Sequence, residues 1–362
     1  MSIPQERRMI AEPNIGVVVL GYGRRFVSHY LARRLLKAFV TIFLMASLSF
    51  FLFRLMPGSP IEVFISNLIA QYNIPYAEAE QQAASLFSVD LDAPLYLQYF
   101  DYVGNMLRGD FGTSLVSRGV PVSTLILRYL PWTLFSVGIA LVISFTIGIM
   151  LGMLMAYRRD TFLDHALTTF ASVTHSIPGY LLAIILMVYL GVQWELVSIA
   201  AMRGSMSPGV KPGLNATFVR DAFYHAALPM LTYVITTIGT WMLTMRSSTE
   251  AALGEDYVTV AKARGLREGR IATAYVGRNA SLPLFTQVTI AIAFVVSGSF
   301  LIESIFVYQG IGLLLLNSIN QRDYPVMQGI FLVITSVVVF VNLFADLVYA
   351  RLDPRIRLAG GG

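Results

Sequence analysis

The residues most able to act on another molecule lie in one polar and basic segment, residues 250–283, set between two long hydrophobic runs. The segment reads EAALGEDYVTVAKARGLREGRIATAYVGRNASLP. Asp256 stands where a helix N-cap is expected, and Gly265 is a natural stop. Lys262 and Arg264 fall in the last turn, where cations interact favourably with the helix dipole. A helix of about nine residues would be about 14 Å long, too short to cross a bilayer, so it must lie on the membrane surface or dock into a protein.

The predicted surface helix has an apolar side and a set of small residues nearby. Small side chains allow another surface to approach the backbone closely. The alternative interpretation is a solvated basic loop, because cytoplasmic loops of membrane proteins are rich in Lys and Arg. The residues expected on the apolar side are Tyr257, Val258, Val260 and Ala261.

Motifs for catalysis or nucleotide binding are missing from the sequence. A phosphate-binding P-loop needs Lys followed by Ser or Thr, whereas Lys37, Lys211 and Lys262 precede Ala, Pro and Ala. No HExxH or GxSxG motif occurs, and the absence of cysteine excludes thiolate chemistry. The isolated His175 and His225 are expected to make structural hydrogen bonds. We therefore expect no catalytic residue, no metal site and no cofactor in this chain.

The composition places the chain in a membrane. Of its 362 residues, 56% are hydrophobic and 13% are charged, whereas soluble domains carry about 25% charged residues. The net charge of +5 could indicate nucleic-acid binding, but the basic residues flank hydrophobic runs and do not form a soluble basic face. The sequence thus predicts an all-α membrane protein that does not bind nucleic acid.

Six hydrophobic runs predict six transmembrane helices. The first is short and could be a secretory signal peptide, but no cleavage pattern follows it. The other five contain no Asp, Glu, Lys or Arg and are long enough to cross the hydrocarbon core. The runs cover residues 38–53, 129–157, 166–194, 222–245, 279–302 and 324–345.

The distribution of charge predicts the orientation. Residues 57–128 form a large hydrophilic region with three basic and seven acidic residues, which places it outside. With the N-terminus inside, eighteen Lys and Arg lie on the inner side and seven on the outer side. This asymmetry predicts that both termini and the 250–283 segment are cytoplasmic.

Two features within the runs indicate local structure: one favours close helix packing and the other breaks a helix. Gly148 and Gly152 are spaced for close helix packing. Ser176, Ile177, Pro178 and Gly179 interrupt the third run, because Pro and Gly leave backbone carbonyls that must face protein or water.

The order of residues in the 250–283 segment resembles a known family. D-Y-V-x-x-A-x-A-R-G-L followed by R-N-A-S-L-P is similar to the cytoplasmic EAA loop of ABC importer permeases of the dipeptide, oligopeptide and nickel transport family. One departure is that the family's usual glutamate falls on Ala251, one place after Glu250. Outside the segment, S-I-P at Ser176, R-L-M-P-G-S-P after the first run and R-D-Y-P before the last also resemble the family. The positions of the loop that match are Asp256, Tyr257, Ala261, Gly265, Leu266, Asn279, Leu282 and Pro283.

The resemblance implies a fold and a set of site residues. The fold would be the six-helix permease fold of type I ABC importers, with a large external region after the first helix. Ser176, Pro178, Gly179 and Glu303 would lie along the translocation path. The predicted parts are a cytoplasmic tail (1–30), a first transmembrane helix (31–57), an external region (58–128), a five-helix core (129–350) with its coupling loop (246–280), and a C-terminal tail (351–362). The implied contacts with the ATPase are Glu250, Ala251, Asp256, Tyr257, Ala261, Arg264, Gly265 and Leu266.

The resemblance also implies partners. They are a second homologous permease, two ABC ATPase subunits that bind ATP and Mg²⁺, an extracytoplasmic solute-binding protein, and the lipid of a bacterial or archaeal cytoplasmic membrane. Di- or oligopeptides are the expected solutes; oligosaccharides, nickel complexes and glutathione stay open. Two other classes remain as alternatives: an ion-driven secondary transporter, which would need intramembrane carboxylates that the five long runs lack, and a membrane scaffold.

Overall fold

Long apolar runs form helices here because a helix satisfies its own backbone hydrogen bonds where water is absent. In the computed structural model every regular element is helical within the described residues, which are 15–55, 60–86, 94–117, 119–297 and 300–352. Two π-helical segments, Met187–Gln193 and Ile271–Gly277, continue the helices that precede them. The α-helices are α1 (Ile15–Arg54), α2 (Pro60–Tyr72), α3 (Tyr76–Leu86), α4 (Leu95–Leu107), α5 (Val122–Tyr157), α6 (Phe162–Ser176), α7 (Gly179–Leu186), α8 (Ile199–Met202), α9 (Ala216–Leu253), α10 (Asp256–Ala263), α11 (Glu268–Arg270), α12 (Arg278–Ala280), α13 (Leu282–Ser297), α14 (Phe300–Ile305), α15 (Ile311–Gln321) and α16 (Tyr324–Leu352).

Four helices in the described part of the chain are long and apolar enough to cross a membrane. A fifth crossing results if Phe162–Ser176 and Gly179–Gln193, which meet at a 99° bend, count as one span. The predicted span 279–302 is divided among α12, α13 and α14, and residues 298 and 299 lie outside the described residues. The predicted count of six therefore stays a prediction. The four crossing segments are Ala32–Leu52, Val122–Tyr157, Ala216–Leu253 and Tyr324–Phe344.

Helices also occur within the predicted N-terminal tail and within the predicted external region. α1 begins at Ile15, so regular helix extends well into the stretch predicted as a polar tail, while residues 1–14 and 353–362 lie outside the described residues. Within the predicted external region, α2 and α3 pack together around Ile65, Leu68 and Ala79.

The centre of the bundle is the pair α5 and α9, which make the most extensive helix contact in the described residues. Glycines on α5 allow the two backbones to approach closely. A Cβ atom on Gly148 would lie 2.5 Å from Cβ of Trp241, and one on Gly152 would lie 2.4 Å from the carbonyl oxygen of Met242. This confirms the predicted close packing at Gly148 and Gly152. Small residues between membrane helices allow such packing because they let the two backbones approach each other closely.

The contact at Gly152 yields a stability prediction. Gly152→Ala should lower the free energy of unfolding by about 1–3 kcal/mol, because the new methyl group would overlap the carbonyl oxygen of Met242, which cannot rotate away. The matched control is Gly104→Ala in α4, where a Cβ would meet nothing within 4 Å and alanine favours helix. Thermal unfolding in detergent should show a lower Tm for the first variant and an equal or higher Tm for the second. A Gly152→Ala protein that melts at the wild-type temperature would contradict the close approach.

Buried polar groups tie loops to the bundle near the start of α16 and near α9. Asp323 is 3% exposed and accepts hydrogen bonds from the Ser114 hydroxyl and, at 3.1 Å, from the Leu115 amide. Burial raises the pKa of the Asp323 carboxyl. The ring of His225 lies between the Met202 carbonyl and the Ser207 hydroxyl, each at 3.1 Å, which confirms the predicted structural role of this histidine.

Candidate functional site

The predicted surface helix is present as α10, residues Asp256–Ala263, and it ends as the sequence indicates. Gly265 has a φ of +72°, and the Leu266 amide donates to the Ala261 carbonyl at 3.3 Å, so a glycine in the left-handed region closes the helix. The expected N-cap was wrong by one residue. Glu255 occupies that position without a side-chain capping bond, and Asp256 is the first residue of the helix, where its charge still favours the helix dipole.

One side of α10 packs against the bundle. Val258 is fully buried and Ala261 is 2% exposed, within a cluster formed by residues of α9, the second π-helical segment and α13. Tyr257 and Leu266 are partly buried against the same cluster. Val260 is 56% exposed, so the expectation that it belongs to the apolar side was wrong, because its place on the helix turns it away from Val258 and Ala261. The helix is thereby held to α9 and α13 by packing.

The opposite side of α10 is open to solvent and carries both charge and a free apolar group. A Cβ atom on Gly265 would meet nothing within 4 Å, so this end of the helix has open space around it. We call this side the exposed α10 face. It consists of Asp256, Thr259, Val260, Lys262, Ala263, Arg264 and Gly265.

Glu250 and Ala251, also predicted to contact an ATPase, lie in the last turn of α9. Ala251 is exposed. The Glu250 carboxylate, in contrast, lies 3.1 Å from Nε of Arg246, an electrostatic contact that lacks hydrogen-bond geometry. The structure thus gives Glu250 a neighbour within its own helix.

Arg246, near the end of α9, binds to the beginning of α6, and both of these helix ends are predicted to face the cytoplasm. Arg246 was not among the site residues predicted from the sequence. Its Nη2 donates to the Asp164 carboxylate at 2.8 Å, and its Nη1 donates to the Thr168 hydroxyl at 2.9 Å. Asp164 is completely buried, whereas the Arg246 side chain is 23% exposed. Because 82 residues separate the ion pair, no local pattern in the sequence indicates it.

The predicted break in the third run is confirmed. α6 ends at Ser176, Ile177 is extended, and Pro178 precedes the first residue of α7, with a 99° bend between the two helices. Ser176 and Pro178 are exposed in the isolated chain, and the Ser176 hydroxyl donates to the Ser172 carbonyl at 2.7 Å. A Cβ atom on Gly179 would lie 3.1 Å from Cδ1 of Ile302, so the bend fits closely against α14.

Glu303 is fully buried in α14 and holds three elements together. Its carboxylate accepts from the Thr133 hydroxyl at 2.7 Å and from the Leu313 amide at 3.0 Å. Glycine is required at position 310, because a Cβ atom there would lie 2.3 Å from the carboxylate. The Glu303 carboxylate thus links α14 to α5 and α15.

Among the residues that the structure describes, no group of three or more His, Asp or Glu side chains could hold a metal ion.

Comparison with known proteins gives a consistent picture. The family model described as "Binding-protein-dependent transport system inner membrane component" matches residues 148–358. The chain is 34% identical over 330 residues to the oligopeptide transport system permease protein AppB of Bacillus subtilis, covering 90% of this chain and 98% of that protein. It is 33% identical to the di/tripeptide transport system permease protein DppB of Pseudomonas aeruginosa, with 91% and 98% covered. A third relative, the glutathione transport system permease protein GsiC of Salmonella typhi, is 31% identical, with 91% and 99% covered.

Proposed function

Because the chain belongs to the family of binding-protein-dependent transport system inner membrane components, we propose that it is the permease subunit of an ATP-driven peptide importer. The chain supplies a membrane path, and a separate subunit supplies the energy. The sequence contains no P-loop motif, which agrees with ATP being hydrolysed by a separate subunit.

The proposal rests mainly on the fact that one side of α10 is packed against the bundle and the other side is exposed. Its exposed face offers Asp256, Lys262, Arg264 and the open space at Gly265 to a partner, whereas Val258 and Ala261 are anchored in the bundle. A force applied to the exposed α10 face therefore reaches α9 and α13 through packed side chains. We propose that this face, together with Ala251, Tyr257 and Leu266, forms the contact with an ATPase subunit. Ala261, expected from the sequence to touch the ATPase, is 2% exposed and instead supports the face from within the bundle.

Glu250 has a more indirect role in this proposal. Its contact with Arg246 positions the last turn of α9, which leads directly into α10. We therefore assign Glu250 to the support of the docking helix, next to the residues that touch the ATPase.

The partners follow from the family. They are a second homologous permease, two ATPase subunits that bind ATP and Mg²⁺, and an extracytoplasmic binding protein that delivers the solute. In this arrangement both termini and α10 face the cytoplasm, as the excess of Lys and Arg on that side predicts. ATP binding by the closed ATPase pair then shifts the population of permease conformations, with no chemistry in this chain.

The bend at Ser176 and Pro178 is the proposed wall of the path. Its exposed residues leave it free to contact solute, and Gly179 keeps it close to α14. Glu303, buried beside it, fixes the ends of α5, α14 and α15 around the path.

Peptides are the proposed solute class. The names of the relatives refer to oligopeptides, di- and tripeptides, and glutathione, which is itself a small peptide. Oligosaccharides and nickel complexes have no support among these relatives.

The experiment that tests the proposal is reconstitution. The chain is co-expressed with its candidate permease and ATPase partners, purified, placed in proteoliposomes with the binding protein, and assayed for peptide uptake. We expect uptake that requires ATP and that stops when the ATPases are omitted. Uptake driven by an ion gradient alone would instead support a secondary transporter and overturn the proposal.

A further inference from the structure

A cavity of about 470 Å³ lies between α5, α9 and α13. We call it the α5–α9–α13 cavity. Most of its wall is apolar, with Val137 and Leu141 on α5 and Ile290 and Val295 on α13, and none of the described lining residues is charged. Its volume falls in the range of about 300–1,000 Å³ that is typical of sites for small molecules.

Trp241 presents an unsatisfied hydrogen-bond donor in this wall. The residue is 4% exposed and lines the cavity, yet its indole Nε1 has no hydrogen-bond partner in the described part of the chain. The ring is held in place by an edge contact with Phe145 at 5.1 Å and by the close approach of Gly148. Buried tryptophans usually pair their N–H group, so the unpaired donor indicates a missing partner.

Gln287, on α13, supplies the complementary acceptor. It also lines the cavity, and its buried Oε1 atom has no hydrogen-bond partner among the described residues. The hydroxyls of two neighbouring lining residues are already engaged. Thr237 donates to Ser144 at 2.9 Å, and Thr240 lies 3.0 Å from Nδ1 of His175. Two lining residues thus carry one donor and one acceptor without a partner among the described residues. Both atoms are buried in the ligand-free chain, so a bound molecule would reach them after a small rearrangement of side chains.

A ligand that matches this wall needs one carbonyl acceptor, one N–H donor and little charge. The main-chain amide of a peptide carries both groups and is neutral. A sugar would bring more hydroxyl groups than these walls can pair, and a metal complex would find no charged ligand. A lipid acyl chain would leave both polar atoms unpaired.

We propose that the α5–α9–α13 cavity is a subsite for a main-chain amide of the transported peptide. The Trp241 N–H donates to the amide carbonyl, and Gln287 Oε1 accepts from the amide N–H. Recognition of the main chain by apolar walls and two hydrogen bonds makes the subsite indifferent to the peptide's side chains. This inference rests on the proposed function as a peptide permease.

The test uses the reconstituted importer with its binding protein and two probes. One probe is trialanine, and the other is its analogue in which ester oxygens replace both amide N–H groups. Trp241→Phe removes the donor and keeps an aromatic ring, and Gln287→Met removes the acceptor with little change of shape. The matched controls are Trp194→Phe, at a residue 61% exposed, and Gln321→Met, at an exposed position, neither of which lines the cavity.

Each variant has its own expected signature. At subsaturating solute, Gln287→Met should lower trialanine uptake about 3- to 10-fold, the value of one hydrogen bond, and should reduce the preference for trialanine over the ester by the same factor. Trp241→Phe should lower uptake of both probes by a similar factor, because the ester carbonyl still accepts. Both controls should match the wild type, and the binding protein's own preference cancels because it is the same in every assay.

Three outcomes would overturn the subsite or its premise. If both variants kept the wild-type uptake and the wild-type preference for trialanine over the ester, the subsite would be contradicted while the proposed importer function would stand. Loss of the second permease from the purified complex would mean that the cavity is a subunit interface. An absence of ATP-dependent peptide uptake by the wild type would overturn the proposed function itself, and the subsite with it.

Discussion

Gly265→Leu is expected to abolish ATP-dependent uptake while the chain still folds and inserts. The leucine side chain would extend from the end of α10 into the space where the ATPase is proposed to dock. Within the chain itself the change is mild, because a Cβ atom there meets nothing within 4 Å and the left-handed φ of +72° costs about 1–2 kcal/mol. At the docking surface a clash of 3 kcal/mol or so would reduce assembly more than about 100-fold. Uptake and co-purification of the ATPases measure the loss, and thermal unfolding measures the fold.

Two further variants separate backbone strain from docking. Gly265→Asn adds a side chain that tolerates the left-handed backbone conformation. It therefore causes less backbone strain than Gly265→Leu but still places a side chain in the proposed docking space. We expect it to lower uptake as well. Gly269→Leu, in the same loop and also without a neighbour within 4 Å of its Cβ, is the matched control and should retain uptake. Normal transport by Gly265→Leu would end the docking role of this residue.

Arg246→Met should cause the largest loss of stability. The change leaves the completely buried Asp164 carboxylate without its cationic partner. Breaking a buried ion pair in this way costs about 3–5 kcal/mol, and the lower end applies because the Arg246 side chain is 23% exposed. Thermal unfolding in detergent should show a clear fall in Tm, and α6 should lose its connection to the turn of α9 that leads into α10.

The double variant Asp164→Asn with Arg246→Met tests whether the cause is the unpaired charge. It removes the buried charge but retains an acceptor for the Thr168 hydroxyl, 3.4 Å away, so most of the lost stability should return. The matched control is Glu250→Gln, which affects only a partly exposed contact and should change stability by less than about 1 kcal/mol. A Glu250→Gln protein that loses as much stability as Arg246→Met would contradict the assignment of that loss to the buried Asp164 charge.

Local features of the site could be read from the sequence because they depend on neighbouring residues. The length of α10, its end at Gly265 and the break after Ser176 each follow from the conformational limits of Gly and Pro. The N-cap was misplaced by one residue, since Glu255 and Asp256 are adjacent acidic residues and the choice depends on how the chain enters the helix. Local chemistry thus fixed both ends of α10 to within about a residue.

Contacts between distant segments were beyond the reach of the sequence. The ion pair of Asp164 with Arg246, the burial of Glu303 and the unpaired donor and acceptor of Trp241 and Gln287 depend on which faces of separate helices meet. In an apolar run with hydrophobic residues on all sides, periodicity does not mark the face that packs inward.

The sequence by itself determined that this chain has helices apolar enough to cross a membrane, contains no P-loop motif and carries a short surface helix closed by a glycine, because these properties depend on composition and on consecutive residues. The tertiary structure alone decided which side of that helix is anchored and which is open, and which polar side chains are left unpaired around the α5–α9–α13 cavity. Both follow from packing between helices far apart in the chain, where close approach and burial are set by shape and not by sequence neighbours.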